Sequence, residues 1–219
     1  MIYKFFIILL FSFSLSSNRY EQAMERGINM LEKSETREDY IKCSNFFYRV
    51  HQAQKDNWLP GYYYSLSNVR LSLIEKESFI KDEYLDKALK IVSLYDSVFS
   101  DIDSLAVSEI LTLKGMIFSS KIMIDPMTRG REFGSQAGNV IEDAILYAKY
   151  NPRPYLISGQ MKFYTPAAFG GGMEKAMPLL ESAVNFYNIF KIEKYWPNWG
   201  EDLAIKMYEQ AKKSLQNSN

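Results

Sequence analysis

Apolar side chains recur every three or four residues along most of this 219-residue chain, the spacing of helices that each bury one face, so the sequence predicts an all-α fold. Asn18 is expected to cap a first helix bearing Tyr20, Ala23, Met24, Ile28 and Leu31. Ser34 to Thr36 interrupts it, and Thr36 with Asp39 resembles a capping box for a second helix bearing Tyr40, Cys43, Phe46, Phe47, Val50 and Ala53. After a turn at Asn57 to Gly61, a third helix carries Tyr62, Leu66, Val69 and Leu73, and a fourth carries Tyr84, Leu85, Ala88, Ile91, Val92 and Tyr95. A fifth is predicted from Ile102 to Ile124. Asp125-Pro126 and Thr128 to Ser135, with Gly130 among them, read as a longer loop or an irregular helix before a sixth element over Gly138 to Tyr150.

The stretch from Asn151 to Gly200 reads as one helical hairpin with an unusual turn. Pro152 stops what precedes it and can itself open a helix, and the pattern predicts that helix from about Pro154 to Phe163. Thr165-Pro166 and Gly170-Gly171-Gly172 cannot continue it, because proline removes a donor and three glycines raise the entropic cost of the helical state. The second helix starts at about Met173 and carries Ala176, Leu179, Leu180, Ala183 and Val184 on one stripe, with Pro178 inside it at the cost of a hydrogen bond. An aromatic turn, Tyr195-Trp196-Pro197-Asn198-Trp199-Gly200, ends the hairpin. In the last helix, Glu201 to Leu215, the residues Leu203, Met207, Tyr208, Ala211 and Leu215 share a face, and the polar remainder suits a cap.

The small, large, small triplet Ala176, Leu180, Ala183 resembles the second helix of a tetratricopeptide repeat, and Gly159 with Phe163 resembles the small and aromatic positions of its first helix. The string TPAAFGGGMEKAMPLLESAV is also similar to a bacterial extracytoplasmic subgroup that includes the tetratricopeptide proteins associated with TRAP-type solute transporters. Compared with the standard repeat, Tyr164 to Gly172 is longer by about four residues. The resemblance implies a degenerate, TPR-like right-handed α-solenoid of about three to four helix pairs plus a C-terminal capping helix. Similar four-then-three patterns start at residues 46, 88, 141 and 176, separated by 42, 53 and 35 residues, so the periods are uneven.

The first residues hold Lys4 and an apolar run from Phe5 to Leu15, too short to span a bilayer but suited to a secretory signal. Ser14 and Ser16 place the expected cleavage after Ser16, leaving residues 17–219 as a single helical domain outside the cytoplasm, periplasmic or otherwise extracytoplasmic, with no stable membrane anchor. Cys43 is the sole cysteine, which excludes an internal disulfide and a lipid anchor just after the apolar run, and it reads as a buried small hydrophobe. Basic and acidic residues number 26 each and form no basic stripe, so nucleic acid has no electrostatic support as a partner.

Chemistry-bearing patterns are sparse. His51 is the single histidine and reads as a packing or helix-surface residue, metal sites built from histidine and cysteine are excluded by number, and no Gly-x-Ser-x-Gly elbow occurs. Adjacent carboxylates such as Glu142 and Asp143 point in different directions on a helix and do not make an acid and base pair. The expectation is therefore a non-enzymatic binding protein without catalytic residues, cofactor or metal. Its leading form is a scaffold receiving a peptide or partner protein in a helical groove; the alternative, which the TRAP-associated resemblance implies, is a binder of a small apolar or carboxylate-bearing solute.

Aromatics and the glycine turn supply the candidate binding residues. Tyr62, Tyr63 and Tyr64 are consecutive on one helix, so at least one is expected to line a groove or lie exposed, with Tyr63 and Tyr64 as candidates, unless all three fill gaps between imperfect repeats. Gly170, Gly171 and Gly172 either present N–H groups to an anion at a helix N-terminus or form a purely structural turn. Phe163, Tyr164 and Phe169 flank that turn, and Phe169 at its tip either docks on the chain's own Trp196 or Trp199 or meets a partner.

Overall fold

The computed structural model describes residues 18–98 and 101–216, so the N-terminal apolar run and the cleavage expected after Ser16 lie outside it. The described residues are all-helical: α1 (18–32), α2 (Arg37–Ala53), α3 (Trp58–Ile74), α4 (Ser78–Val92), α5 (Ser104–Ile124), α6 (Pro126–Tyr147), α7 (Pro152–Tyr164), α8 (Met173–Tyr187) and α9 (Glu201–Gln216). Two short 3-10 segments, Ser93–Val98 and Ala167–Phe169, lie in the connections.

Each boundary has a local cause. Thr36 and Asp39 form the expected capping box, and Asn57, Asp103 and Asn151 cap α3, α5 and α7 through their side-chain oxygens. Asn18 does not cap α1; it lies inside that helix, where its side-chain oxygen accepts from Gln22 at 2.8 Å. From α2 onward each helix packs against the next, and α3, α5, α7 and α9 also touch one another in succession. A core centred on α2 to α5 includes Met24, Phe47, Tyr62, Leu66, Val92 and Ile117. A second, carried by α6 to α9, includes Ile141, Leu156, Leu180 and Met207, and Met116 and Trp199 pack against both.

The main correction concerns 126–147, a single unbroken helix where a longer loop or an irregular helix was expected before a separate element at Gly138. Asp125 ends α5 and caps α6, accepting from the Thr128 N–H, and Pro126 occupies the first helical position, where its missing donor costs nothing. Tertiary contacts then offset the glycines: Arg129 makes a bidentate pair with Asp82 at 2.6 and 2.7 Å, and Phe133 stacks on Phe118.

The repeat register also shifts in two helices. In α2 the core face is Tyr40, Cys43, Ser44, Phe47 and His51, while Ala53 is exposed. In α6 the buried set is Ala137, Ile141 and Ala144, the same small, large, small order as Ala176, Leu180 and Ala183. Close approach explains the small partners on the facing helix. A Cβ on Gly115 would stand 2.5 Å from Ile141, and one on Gly159 would stand 2.7 Å from Leu180; Gly27 receives Phe47 in the same way. Leu203, placed on the buried face of α9 from the sequence, is exposed, and Ala204, Met207 and Ala211 take that face instead.

Candidate functional site

A groove of about 470 Å³ opens between α2 and α4, with α3 as its floor. From α2 it is lined by Ile41, Ser44, Asn45 and Tyr48, from α3 by Tyr64, Asn68 and Leu71, and from α4 by Tyr84, Lys87, Lys90 and Ile91. Three phenol rings, three aliphatic side chains and two ammonium groups thus face one space of small-ligand size, which spans a few hundred cubic ångströms.

The groove is pre-organised by its own hydrogen bonds. Asn68 donates to the Ser44 hydroxyl at 2.9 Å and to the Tyr64 carbonyl at 2.8 Å, fixing α2 against α3. Arg37 donates to the Tyr84 hydroxyl at 3.0 Å while its Nε holds Glu75 at 2.8 Å, which anchors that ring from behind. Tyr48 and Tyr64 rings lie 5.3 Å apart and tilted, and the Lys87 ammonium sits 5.3 Å from the Tyr84 ring centroid. Burial, reinforced by neighbouring Tyr48, raises the Tyr64 pKa above its ordinary value, so its phenol is neutral and a hydrogen-bond donor at physiological pH.

The predicted site residues do not converge. Of the two alternatives expected for the consecutive tyrosines, exposure and groove lining, none of the three is exposed, because α3 is enclosed by α2, α4 and α5 and has no solvent face along most of its length. Tyr64 nevertheless lines the groove. Tyr63 instead donates to the Tyr195 carbonyl at 3.0 Å, and Trp199 donates from its indole to the Tyr62 hydroxyl at 2.9 Å. Trp196 meets Trp58 edge to face at 5.0 Å. Tyr63, Trp196 and Trp199 therefore tie down the segment 188–200, which crosses from α8 over α3 to the α1 residues Tyr20 and Glu21.

Beneath that segment lies a buried ion pair the sequence reading missed. Arg153, 1% exposed, donates to Glu109, 0% exposed, at 2.8 Å, and its other terminal nitrogen donates to the Pro197 carbonyl. Tyr62 reaches the second Glu109 oxygen at 3.4 Å, while the rings of Tyr187, Phe190 and Trp199 surround the guanidinium. Burial pushes the Glu109 carboxyl up from its ordinary value against the pull of Arg153; burial likewise works against the Arg153 charge, but Glu109, Tyr187 and Tyr62 together raise Arg153. Two sequence signals were available: an arginine between two prolines, and a lone acid inside the apolar α5.

The glycine turn forms a third location. Gly170 takes φ 84° and Gly172 φ 107°, the left-handed region open to glycine, and a Cβ on Gly171 would collide with the Thr165 carbonyl. Phe169 is 81% exposed and docks on neither Trp196 nor Trp199, while Phe163 packs against the second core and Tyr164 is exposed. Lys162 and Lys175 both reach the Gly170 carbonyl at 3.4 Å. His51 is buried beside the Tyr95 hydroxyl at 3.4 Å, where burial and then Lys55 lower its pKa. Among the described residues no group of three His, Cys, Asp or Glu could hold a metal ion, and no helix is long and apolar enough to cross a membrane.

No protein-family model matches the sequence, and no curated protein matches it. The chain is similar in structure to the HusA haemophore from Porphyromonas gingivalis, with a TM-score of 0.78 and 26% sequence identity over 89% of this chain and 94% of that one.

Proposed function

We propose that this protein binds haem as cargo in the groove between α2, α3 and α4. The observation that carries the reading is a pre-organised groove with three tyrosine rings in a chain whose fold is similar to that of a haemophore over almost its whole length. The chemistry fits. A flat, largely apolar macrocycle with two carboxylates is matched by ring faces from Tyr48, Tyr64 and Tyr84, by aliphatic contacts from Ile41, Leu71 and Ile91, and by cations at one rim. This keeps the expected small-ligand alternative and narrows it to an aromatic carboxylate. We read the helix pairing as a degenerate TPR-like, right-handed α-solenoid, and the protein as an exported, non-enzymatic carrier, in line with the N-terminal apolar run.

A peptide lying along the succession α3, α5, α7 would compete with the chain's own segment 188–200, which already holds Tyr62, Tyr63 and Arg153. A protein partner is better accommodated at the α7/α8 turn, where Phe169 and Tyr164 are exposed.

Titration with haemin, followed by its Soret absorbance, tests the main reading. Tyr48→Ala should weaken saturable binding about three- to tenfold, the loss of one aromatic contact, and Asn45→Trp should block the groove. Saturable binding indifferent to both substitutions, or none at all, would overturn the assignment.

A further inference from the structure

Resting on the haem reading, we propose that Lys87 and Lys90 form a carboxylate-reading rim, so that the groove selects aromatic carboxylates and orients them with their acid groups toward α4. Across the whole chain basic and acidic residues balance at 26 each, yet the lining of this groove holds two lysines and no aspartate or glutamate. The excess of positive charge is therefore local to the groove.

Placement of the two ammonium groups supports a ligand role over a merely solvated face. Lys87 lies against the Tyr84 ring, which Arg37 holds in place, so its stem is directed along the groove wall. Its one ion pair, with Glu83 one turn back, is long at 3.8 Å and exposed on both sides, and so it competes weakly with a ligand carboxylate. Lys90 follows less than one turn later beside Ile91 and makes no side-chain hydrogen bond or ion pair among the described residues. Three other cations near α4 are already committed: Lys121 and Arg129 pair with Asp82 or Asp86, and Arg37 pairs with Glu75. The Asn68 amide nitrogen is already used, on Ser44 and on the Tyr64 carbonyl. Two cations without strong partners beside three ring faces describe a receptor for a planar, doubly anionic molecule rather than for a neutral one.

Haemin and its dimethyl ester share the iron and the macrocycle and differ only in the two carboxylates. Their dissociation constants are compared on the full chain and on Lys87→Gln/Lys90→Gln, with Lys212→Gln on α9 as a control for removed charge. The unaltered protein should favour haemin over the ester about tenfold, as expected for two ion pairs of surface strength. The double variant should lose that preference by weakening haemin alone, and added salt should narrow it in the unaltered protein. Equal affinity of the unaltered protein for acid and ester, or a preference that survives the double substitution, overturns the rim while leaving haem binding intact. Binding of neither ligand overturns the haem reading and the rim together.

Discussion

Arg153→Met tests how the segment 188–200 is held. The substitution keeps an unbranched stem of similar length but leaves Glu109 fully buried without its cation and releases the Pro197 carbonyl. Breaking a buried pair by removing one partner costs about 3–5 kcal/mol, against a total stability on the order of 5–15 kcal/mol, so the variant should lose a large part of its folding free energy. The remaining partners, Asn151 and the Tyr62 hydroxyl at 3.4 Å, are neutral and do not replace the lost cation. Urea unfolding followed by tryptophan emission is well suited, because Trp58, Trp196 and Trp199 all sit where the segment meets α3. The sign of the pH dependence follows from the raised Glu109 carboxyl. A group with a folded pKa above its unfolded value contributes stability that is present at low pH and lost as pH rises through the folded pKa. Without Arg153 that rise is larger, so the deficit should be greatest at neutral pH and shrink toward the ordinary glutamate value of about 4.3. Glu109→Leu combined with Arg153→Met should recover much of the loss, since two apolar groups leave no buried charge. A single-variant cost below about 1 kcal/mol with unchanged tryptophan emission would refute the reasoning.

Three further outcomes follow from packing and burial. Gly115→Ala and Gly159→Ala should each destabilise by about 1–3 kcal/mol because the new methyl meets Ile141 or Leu180, whereas Gly134→Ala, with open space around it, should stabilise by about 0.5–1 kcal/mol; denaturant midpoints of the three variants check the contrast. Cys43, whose pKa is pushed up to about 11 by burial, should resist thiol reagents at neutral pH until the protein unfolds, and rapid modification of native protein would contradict its placement. Phe169→Ala should leave stability within about 0.5 kcal/mol because the ring is undocked, and a larger loss would mean that the tip packs on the chain.

Much of the helical order is legible from periodicity. The α7/α8 hairpin, its glycine turn and the Thr36 capping box needed only local rules, which act within a few residues. Local rules failed where distant residues decide. The stretch 128–135, with Gly130 in it, read as a longer loop or an irregular helix, yet the bonds of Arg129 to Asp82 and the stacking of Phe133 on Phe118 carry α6 through it. Three adjacent tyrosines implied that one would line a groove or lie exposed; Tyr64 lines the groove, but none is exposed, because the neighbours of α3 leave it no solvent face there. The recurrence of a glycine on α1, α5 and α7 against a large residue of the following helix was present in the sequence, but recognising it required knowing which residue each glycine faces. Of the groove, only Tyr64 was singled out beforehand; Tyr48, Tyr84, Lys87 and Lys90 come from helices that meet through the fold, and no spacing links them.

Paramagnetic broadening of backbone amide signals by bound ferric haem tests the central claim most directly, because the effect falls steeply with distance from the iron and needs no substitution. The account predicts that addition of one equivalent of haemin erases signals around Ser44 to Tyr48, Tyr64 to Leu71 and Tyr84 to Ile91 while sparing the α7/α8 turn and α9. Broadening centred on Phe169 or on the segment 188–200, or a spectrum unchanged by haemin, would contradict it.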